Sequence, residues 1–424
     1  MDKFVIEGGE RLKGTVRISG SKNAALPLLA ATILHKGVYN IGNVPRLKDV
    51  TTMAKLIGML GGSIEWVNDH TLRVDSRNVE NYIAPYELVK EMRASVLVLG
   101  SLVGGLRRAT VSYPGGCAIG ERPINLHLKG LSALGCEVKI REGYIDVVAK
   151  NLRGSKVYFD TTTVGGTENI LMAAVVAKGE TTIYNAAREP EVVDLACMLK
   201  RMGAKIEGEG TGVIRIKGVD SLTPCDYEVI PDRIETGTFL VACGITRGNI
   251  TIEGCIPYHV KAVTDKLKEA GMDIVEDQNT IKASMSNKRP ISVDVKTIPY
   301  PGFPTDMQAQ IMALMTIAKG VSATTETIFE NRMMHVAELR RMGADIKVIG
   351  NTAIVKGVKV LSGAKVMASD LRASASLIIA GLAAYGITEV SRIYHVDRGY
   401  ESIEKKLREL GAKIVRRKDE NMGS

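Results

Sequence analysis

MGAKIE, residues 202–207, is one of six copies of a phrase that organises the whole chain. The others are LGGSIE at 60–65, LGCEVK at 134–139, AGMDIV at 270–275, MGADIK at 342–347 and LGAKIV at 410–415. The glycines, Gly61, Gly135, Gly203, Gly271, Gly343 and Gly411, are separated by 74, 68, 68, 72 and 68 residues. Each phrase closes a stretch with helical periodicity, such as PEVVDLACMLKRMGA, so the glycine reads as a helix C-cap followed by a hairpin-like segment. Self-similarity at this period is the mark of a repeated supersecondary unit.

The repeats also open alike. A strand leads into a polar turn and then a long apolar helix, with Lys22, Arg93, Val164, Arg233, Asp306 and Arg372 at corresponding turns. Their distances to the closing glycine are 39, 42, 39, 38, 37 and 39 residues. Each repeat is therefore strand, helix, strand, helix, strand, strand. The first helices, such as LPLLAATIL, are apolar nearly all round and read as buried; the second, such as VAELRRM, are amphipathic. Helices inside, sheets outside and three repeats per domain give a two-domain α/β chain. The Pro-bearing LTPCDYEVIPD, residues 222–232, is the expected hinge. Thr305 and Gln308 are expected to form a capping box around Asp306.

Composition narrows the function. The chain has 424 residues, 45% hydrophobic and 24% charged, with a net charge of +9. That balance calls for an anionic partner. Aromatic residues are only 4%, too few for base-stacking platforms, and the positive charge is dispersed. A phosphorylated small molecule fits better than nucleic acid. The apolar stretches ASVLVLGSLVGGL and ASASLIIAGLAAYGI are too short for a membrane span. The start MDKFVIEGGERLKGTV carries no apolar leader run. Six unpaired-looking cysteines point to a reducing, cytoplasmic setting, and six histidines form no metal-binding spacing.

The chemistry is expected at two sets of positions. The first-helix N-termini carry Lys22, Arg93, Thr163, Arg233, Asp306 and Arg372, and helix N-termini attract anions. A second ring, Arg46, Arg122, Arg188, Arg332 and Arg398 with His259 in the fourth repeat, lies 11 to 15 residues before the glycines. Any one of these arginines alone reads as a solvated loop charge; the periodic set reads as guanidiniums gripping phosphate and carboxylate. Two such faces across a hinge make an interdomain cleft. The second repeat departs from the rest with the Gly-rich PGGCAIGERPINLH. Cys117 there, beside Arg122, has the surroundings of a reactive thiol. Asp306, in YPGFPTDMQ between rigid prolines, suits a general base.

These motifs, SGSKNAALPLLAA (19–31), PGGCAIGERPINLHLKGL (114–131), TVGGTENILMAA (163–174), FPTDMQAQ (303–310), TIFENRMMHVAEL (327–339), DLRASASLIIAGLAA (370–384) and YHVDRGYE (394–401), resemble those of the UDP-N-acetylglucosamine 1-carboxyvinyltransferases, enolpyruvyl transferases of peptidoglycan synthesis. The likeness runs essentially end to end. It implies an inside-out α/β barrel in each of two domains, six βαβαββ repeats in all, with the active site in the interdomain cleft. Domain I is expected over 22–230 and domain II over 1–21 with 231–424.

The resemblance further implies that Lys22 and Asn23 hold phosphoenolpyruvate, with Arg93, Arg122, Arg372 and Arg398 as the cations around its phosphate and carboxylate. Cys117 matches the proton donor that also forms a covalent adduct, the residue alkylated by fosfomycin. Arg122, Pro123, Ile124, Asn125 and Leu126 match the nucleotide-sugar segment, where many members carry Asp in place of Asn125. Thr163, Val164 and Gly165 match a turn near the diphosphate, Asp306 the base on the sugar 3-hydroxyl, and Ile328 a nearby backbone contact; Arg332 joins them from the second ring. The implied substrates are phosphoenolpyruvate and UDP-N-acetylglucosamine, with no cofactor, metal, nucleic acid or membrane. Two alternatives are a shikimate-pathway enolpyruvyl transferase, which lacks the PGGC loop, and a non-enzymatic RNA-binding repeat protein, which retention on RNA would reveal.

Overall fold

The computed structural model describes residues 2–90, 92–113, 124–285 and 288–418. Cys117, Arg122 and Pro123 lie outside the described residues. The described chain divides into two compact units, one of residues within 20–230 and the other of 2–19 with 231–418. Each unit has its own apolar core and three four-stranded sheets. No helix among the described residues is long and apolar enough to cross a membrane.

The third repeat shows the plan. Lys156–Tyr158 pairs in parallel with Glu180–Tyr184, which pairs antiparallel with Val213–Lys217, itself antiparallel to Lys205–Glu207. Side chains alternate along these strands, so Ile183, Ile206, Ile214 and Ile216 face the core while their neighbours face out. The helix Val164–Ala174 starts the repeat's buried layer, and Pro190–Arg201 covers it with one apolar face. The six phrase glycines all adopt positive φ, between 85° and 105°. In this left-handed position a Cβ is strained, and it turns the chain from helix into the next strand. Around Gly203, the Gly203 and Ala204 N–H groups donate to the carbonyls of Lys200 and Leu199, which closes the helix.

The first helices are buried as their composition demands. Residues 24–31 of Lys22–Ala31 and all of Gln308–Met315 are shielded from water. Close helix approach rests on small residues: a Cβ on Gly100, in the helix Val98–Leu106, would lie 2.2 Å from the Asn169 carbonyl oxygen.

Three features depart from the expectations. The leading strands of the first and fourth repeats are exchanged. Lys13–Arg17 pairs in parallel with Asn249–Glu253 of the fourth, and Tyr227–Glu228 with Val38–Gly42 of the first. Asp2–Glu7 is inserted antiparallel between Ile387–Ser391 and Lys413–Lys418, completing the sixth sheet. The expected capping box at Thr305 does not form: the cap position of the turn Thr305–Met307 is Pro304, without a side-chain bond. The Thr305 hydroxyl is instead engaged by Glu326 and Arg332, and the Gln308 amide by the Met333 sulfur.

Candidate active site

In the unit of residues 20–230, Ser21 caps the helix Lys22–Ala31 by accepting from the Ala24 N–H. This sets Lys22 and Asn23 in the first turn. Lys22 Nζ lies 3.2 Å from Asp49 Oδ2, with the two side chains 13% and 4% exposed. The carboxylate comes from the first turn of Lys48–Met59. It holds the ammonium in place from within the same unit.

Thr163 caps Val164–Ala174 by accepting from the Gly166 N–H, which presents Val164 and Gly165 at a helix N-terminus. A Cβ on Gly165 would stand 3.1 Å from His127 Cε1, so this turn abuts the His127 ring. Arg93 opens the 3-10 turn Arg93–Leu97, and its charge acts on the same ring. Burial first, and then Arg93, lower the His127 pKa to about 4.

Its tautomer follows from Asn169. The Asn169 Oδ1 accepts from the Gly100 N–H at 2.6 Å, and Nδ2 donates to the Val96 carbonyl at 3.2 Å. Nδ2 is therefore also the donor to His127 Nδ1 at 2.8 Å, which leaves the proton of neutral His127 on Nε2. At the start of the helix that carries His127, Asn125–Ala133, the cap residue Ile124 and Leu126 are buried, whereas Asn125 is exposed.

In the other unit three predicted residues meet. Asp306 accepts from Arg332 Nη2 through Oδ1 at 2.7 Å and from Arg372 Nη2 through Oδ2 at 3.1 Å. The arginine side chains are only 5% and 4% exposed, against 26% for Asp306. The Arg372 guanidinium also lies over the Tyr400 ring, 5.3 Å from its centroid. Burial works against the Arg372 charge, but Tyr400, Asp306 and Asp232 outweigh it and raise its pKa. Asp370 caps Leu371–Ala383 by accepting from the Arg372 and Ala373 N–H groups, which fixes the backbone from which Arg372 reaches out.

Ile328 also falls in this unit. Its N–H donates to Glu326 Oε1 at 2.7 Å. Arg398 ends the 3-10 turn Ile393–Arg398, packed on Leu371–Ala383. The His395 pKa is lowered first by burial, with Asp370 opposing and Arg398 and Arg392 adding to the lowering.

Not every member of the arginine ring gathers at these sites. Arg46 lies 4.2 Å over the Trp66 ring and donates to the carbonyls of Asp69 and Asn68, so it serves the hairpin loop beside it. Arg188 is exposed. Two residues that support the sites, Asp49 and Glu326, carried no signal of their own, whereas Asn169 and Asp370 fall within the quoted motifs 163–174 and 370–384. His127 lies inside a motif quoted above, yet its neutral state depends on Asn169, 42 positions away.

Comparison with known proteins places the chain in a family. Residues 6–407 match the family described as EPSP synthase (3-phosphoshikimate 1-carboxyvinyltransferase). The chain is 58% identical over 417 residues to the UDP-N-acetylglucosamine 1-carboxyvinyltransferase of Trichlorobacter lovleyi, covering 98% of this chain and 99% of that one. It is 57% identical over 419 residues to that of Geobacter metallireducens, covering 99% and 100%. Among solved structures, the enolpyruvyl transferase NikO from Streptomyces tendae superposes with a TM-score of 0.86 at 24% identity, over 98% of both chains. An EPSP synthase from Acinetobacter baumannii gives 0.76 at 18% identity, over 99% of this chain and 100% of that one, and these two likenesses speak to the fold. A two-unit chain of six sheets around buried helices, at such identity to its relatives, belongs to the enolpyruvyl transferase family, among the UDP-N-acetylglucosamine 1-carboxyvinyltransferases.

Proposed function

We infer that the protein transfers the enolpyruvyl group of phosphoenolpyruvate to the 3-hydroxyl of UDP-N-acetylglucosamine with release of phosphate, the first committed step of peptidoglycan synthesis. The observation that carries this is identity of 54–58% over nearly the whole chain to relatives bearing that activity's name. Asp306 is the base in this reading. Arg332 and Arg372 each hold one of its two oxygens, which fixes the direction in which the carboxylate faces, and at 26% exposure it is the accessible member of the three. The two guanidiniums also favour its ionised form, the form that accepts a proton.

Lys22, Asn23, Arg93, Arg122, Arg372 and Arg398 are assigned to the phosphate and carboxylate of phosphoenolpyruvate, and Cys117 to protonation of its methylene carbon. The cationic centre so formed is attacked by the sugar hydroxyl as Asp306 takes the proton, and phosphate then leaves as the new methyl group gives up a proton, which restores the carbon–carbon double bond. The nucleotide sugar is assigned to Arg122–Leu126, to the turn Thr163–Gly165 and to Ile328. Because the Ile328 N–H is committed to Glu326, its backbone contact is assigned to the carbonyl. Ile124 and Leu126, with buried side chains, are likewise assigned backbone contacts. A cytoplasmic place suits soluble phosphorylated substrates and accords with free thiols at Cys136, Cys197, Cys225, Cys243 and Cys255.

The test is phosphate release from phosphoenolpyruvate in the presence of either UDP-N-acetylglucosamine or shikimate 3-phosphate. Release with the first alone, lost in Asp306→Ala, is expected, together with a fosfomycin adduct on Cys117 by mass spectrometry. Release with shikimate 3-phosphate alone would overturn the assignment.

A further inference from the structure

Glu326 follows the strand Val321–Thr325 and is 2% exposed. A carboxylate so deeply buried is costly unless donors surround it. Its Oε1 accepts from the Ile328 N–H at 2.7 Å, the Phe329 N–H at 3.3 Å and the Thr297 hydroxyl at 2.9 Å. Its Oε2 accepts from the Thr305 hydroxyl at 2.8 Å.

The direction of that last bond is fixed. Arg332 Nη1, which has no lone pair to offer, donates to the same Thr305 oxygen at 2.8 Å. The single Thr305 proton therefore goes to Glu326. The other Arg332 nitrogen, Nη2, donates to Asp306. One directional chain results: Arg332 gives a proton each to Asp306 and Thr305, and Thr305 gives its own to Glu326.

We propose that Glu326 is a positioning residue for the transfer reaction: by drawing the Thr305 proton it frees the Thr305 oxygen to hold Arg332, and so fixes the guanidinium on the carboxylate of Asp306. The proposal rests on Asp306 being the base. The same Glu326 oxygens pin the backbone at Ile328 and Phe329, so one buried carboxylate sets both the base's cation and the adjacent loop.

Charged and titratable groups facing Asp306 include Arg332 from this loop and Arg372 from Leu371–Ala383. Tyr400 lies behind Arg372, and Asp232 with Arg233 starts the helix Arg233–Ile245, which packs on the Thr305–Met307 turn. Of these groups only Arg332 is displaced by a substitution at Glu326 or Thr305, and it is through Arg332 that such a substitution acts on Asp306.

Glu326→Gln keeps the shape but turns one oxygen into a donor. With its carbonyl kept on the two backbone N–H groups, its amide donates into the Thr305 oxygen and competes with Arg332. Thr305→Val removes the relay, and Thr305→Ser retains it. The experiment is the pH profile of kcat/KM for UDP-N-acetylglucosamine in these three variants, with Asp306→Ala alongside.

Glu326→Gln and Thr305→Val are expected to lose about tenfold to a hundredfold in kcat. Their acid limb should move to higher pH, because a carboxylate with a loosened guanidinium holds its proton more tightly. Thr305→Ser should return the limb to its wild-type position. An unmoved limb in Glu326→Gln and Thr305→Val overturns the proposal even if activity falls, since a merely structural role lowers activity at every pH alike. Where Glu326→Gln does not fold, the Thr305→Val and Thr305→Ser pair decides. Appreciable activity in Asp306→Ala overturns instead the assignment of the base, which keeps the two failures apart.

Discussion

Removing the Asp306 carboxylate should unsettle one unit of the protein and leave the other untouched. In Asp306→Ala two guanidiniums, 5% and 4% exposed, lose the charge between them. Breaking a buried ion pair by deleting one partner costs about 3–5 kcal/mol, because the survivor stays desolvated and unopposed. The low end, about 3 kcal/mol, applies because Asp306 is itself a quarter exposed and Arg332 keeps Thr305. With a slope of about 2–3 kcal/mol per molar urea, the midpoint for this unit should fall by roughly 1 M.

Two probes separate the units. The single tryptophan, Trp66, lies in the strand Ser63–Trp66 of the unit within 20–230, so its fluorescence should report an unchanged transition. Hydrogen exchange in peptides spanning 303–316 and 370–384 should quicken by about a hundredfold, at 1.4 kcal/mol for each factor of ten. Inorganic phosphate should restore part of the loss, since the freed guanidiniums can bind an oxyanion in bidentate fashion. At ten times its Kd the gain is about 1.4 kcal/mol. Unchanged exchange at 370–384 would refute the reasoning, for it would mean that Asp306 does not hold Arg372.

Asp49→Ala removes the carboxylate beside Lys22 Nζ, and the KM for phosphoenolpyruvate should rise about tenfold while that for the nucleotide sugar changes less than about twofold, as steady-state kinetics would show. His127, with its pKa lowered to about 4 from 6.5, binds fewer protons folded than unfolded between those values. Its stabilising effect is complete above pH 6.5 and is lost as pH falls towards 4, by at most about 3 kcal/mol. The Trp66 urea midpoint should decline over that window and flatten in His127→Gln; an equal decline in the variant would count against it. His335, also lowered to about 4 by burial, should impose the same dependence on the other unit, read by exchange at 335–342. Gly100→Ala forces a Cβ to within 2.2 Å of the Asn169 carbonyl, and the Trp66 transition should lose about 1–3 kcal/mol.

Local dictates were legible in the sequence, and partnerships across the chain were not. Six glycines could be placed because the turn after each helix imposes positive φ on one residue, whatever the rest of the chain does. The starts of the buried helices were legible for a similar reason, with polar caps such as Ser21, Thr163 and Asp370 just before apolar runs. The exchange of leading strands was hidden because a parallel partner is not specified locally, and a two-residue strand such as Tyr227–Glu228 has no periodicity to read. Arg332, Arg372 and Asp306 were each marked by their place in the repeat, but their union depends on three separate helix starts and loops. The capping pattern at Thr305 misled because a hydroxyl goes to its strongest partners, and a buried carboxylate with a guanidinium outcompetes a backbone N–H.

A common device recurs in the two candidate anion-binding regions. A cation meant for a substrate must be held in place before the substrate comes, or its ordering is charged against binding. Asp49 does this for Lys22, and Asp306 for Arg332 and Arg372. The groups that hydrogen bonds join in the second cluster, Arg332, Arg372, Asp306 and Glu326, are two guanidiniums and two carboxylates, a formally neutral set. Neutrality keeps four mostly buried charged groups tolerable in the resting enzyme. On the assignment of Asp306 as base, taking the sugar proton removes one negative charge and leaves the cluster with a net +1. That positive charge arises in the step that builds the adduct whose phosphate must then depart. The base and its arginines thus act as one unit: the carboxylate stabilises the guanidiniums until it is protonated, and its protonation turns their field towards the anion.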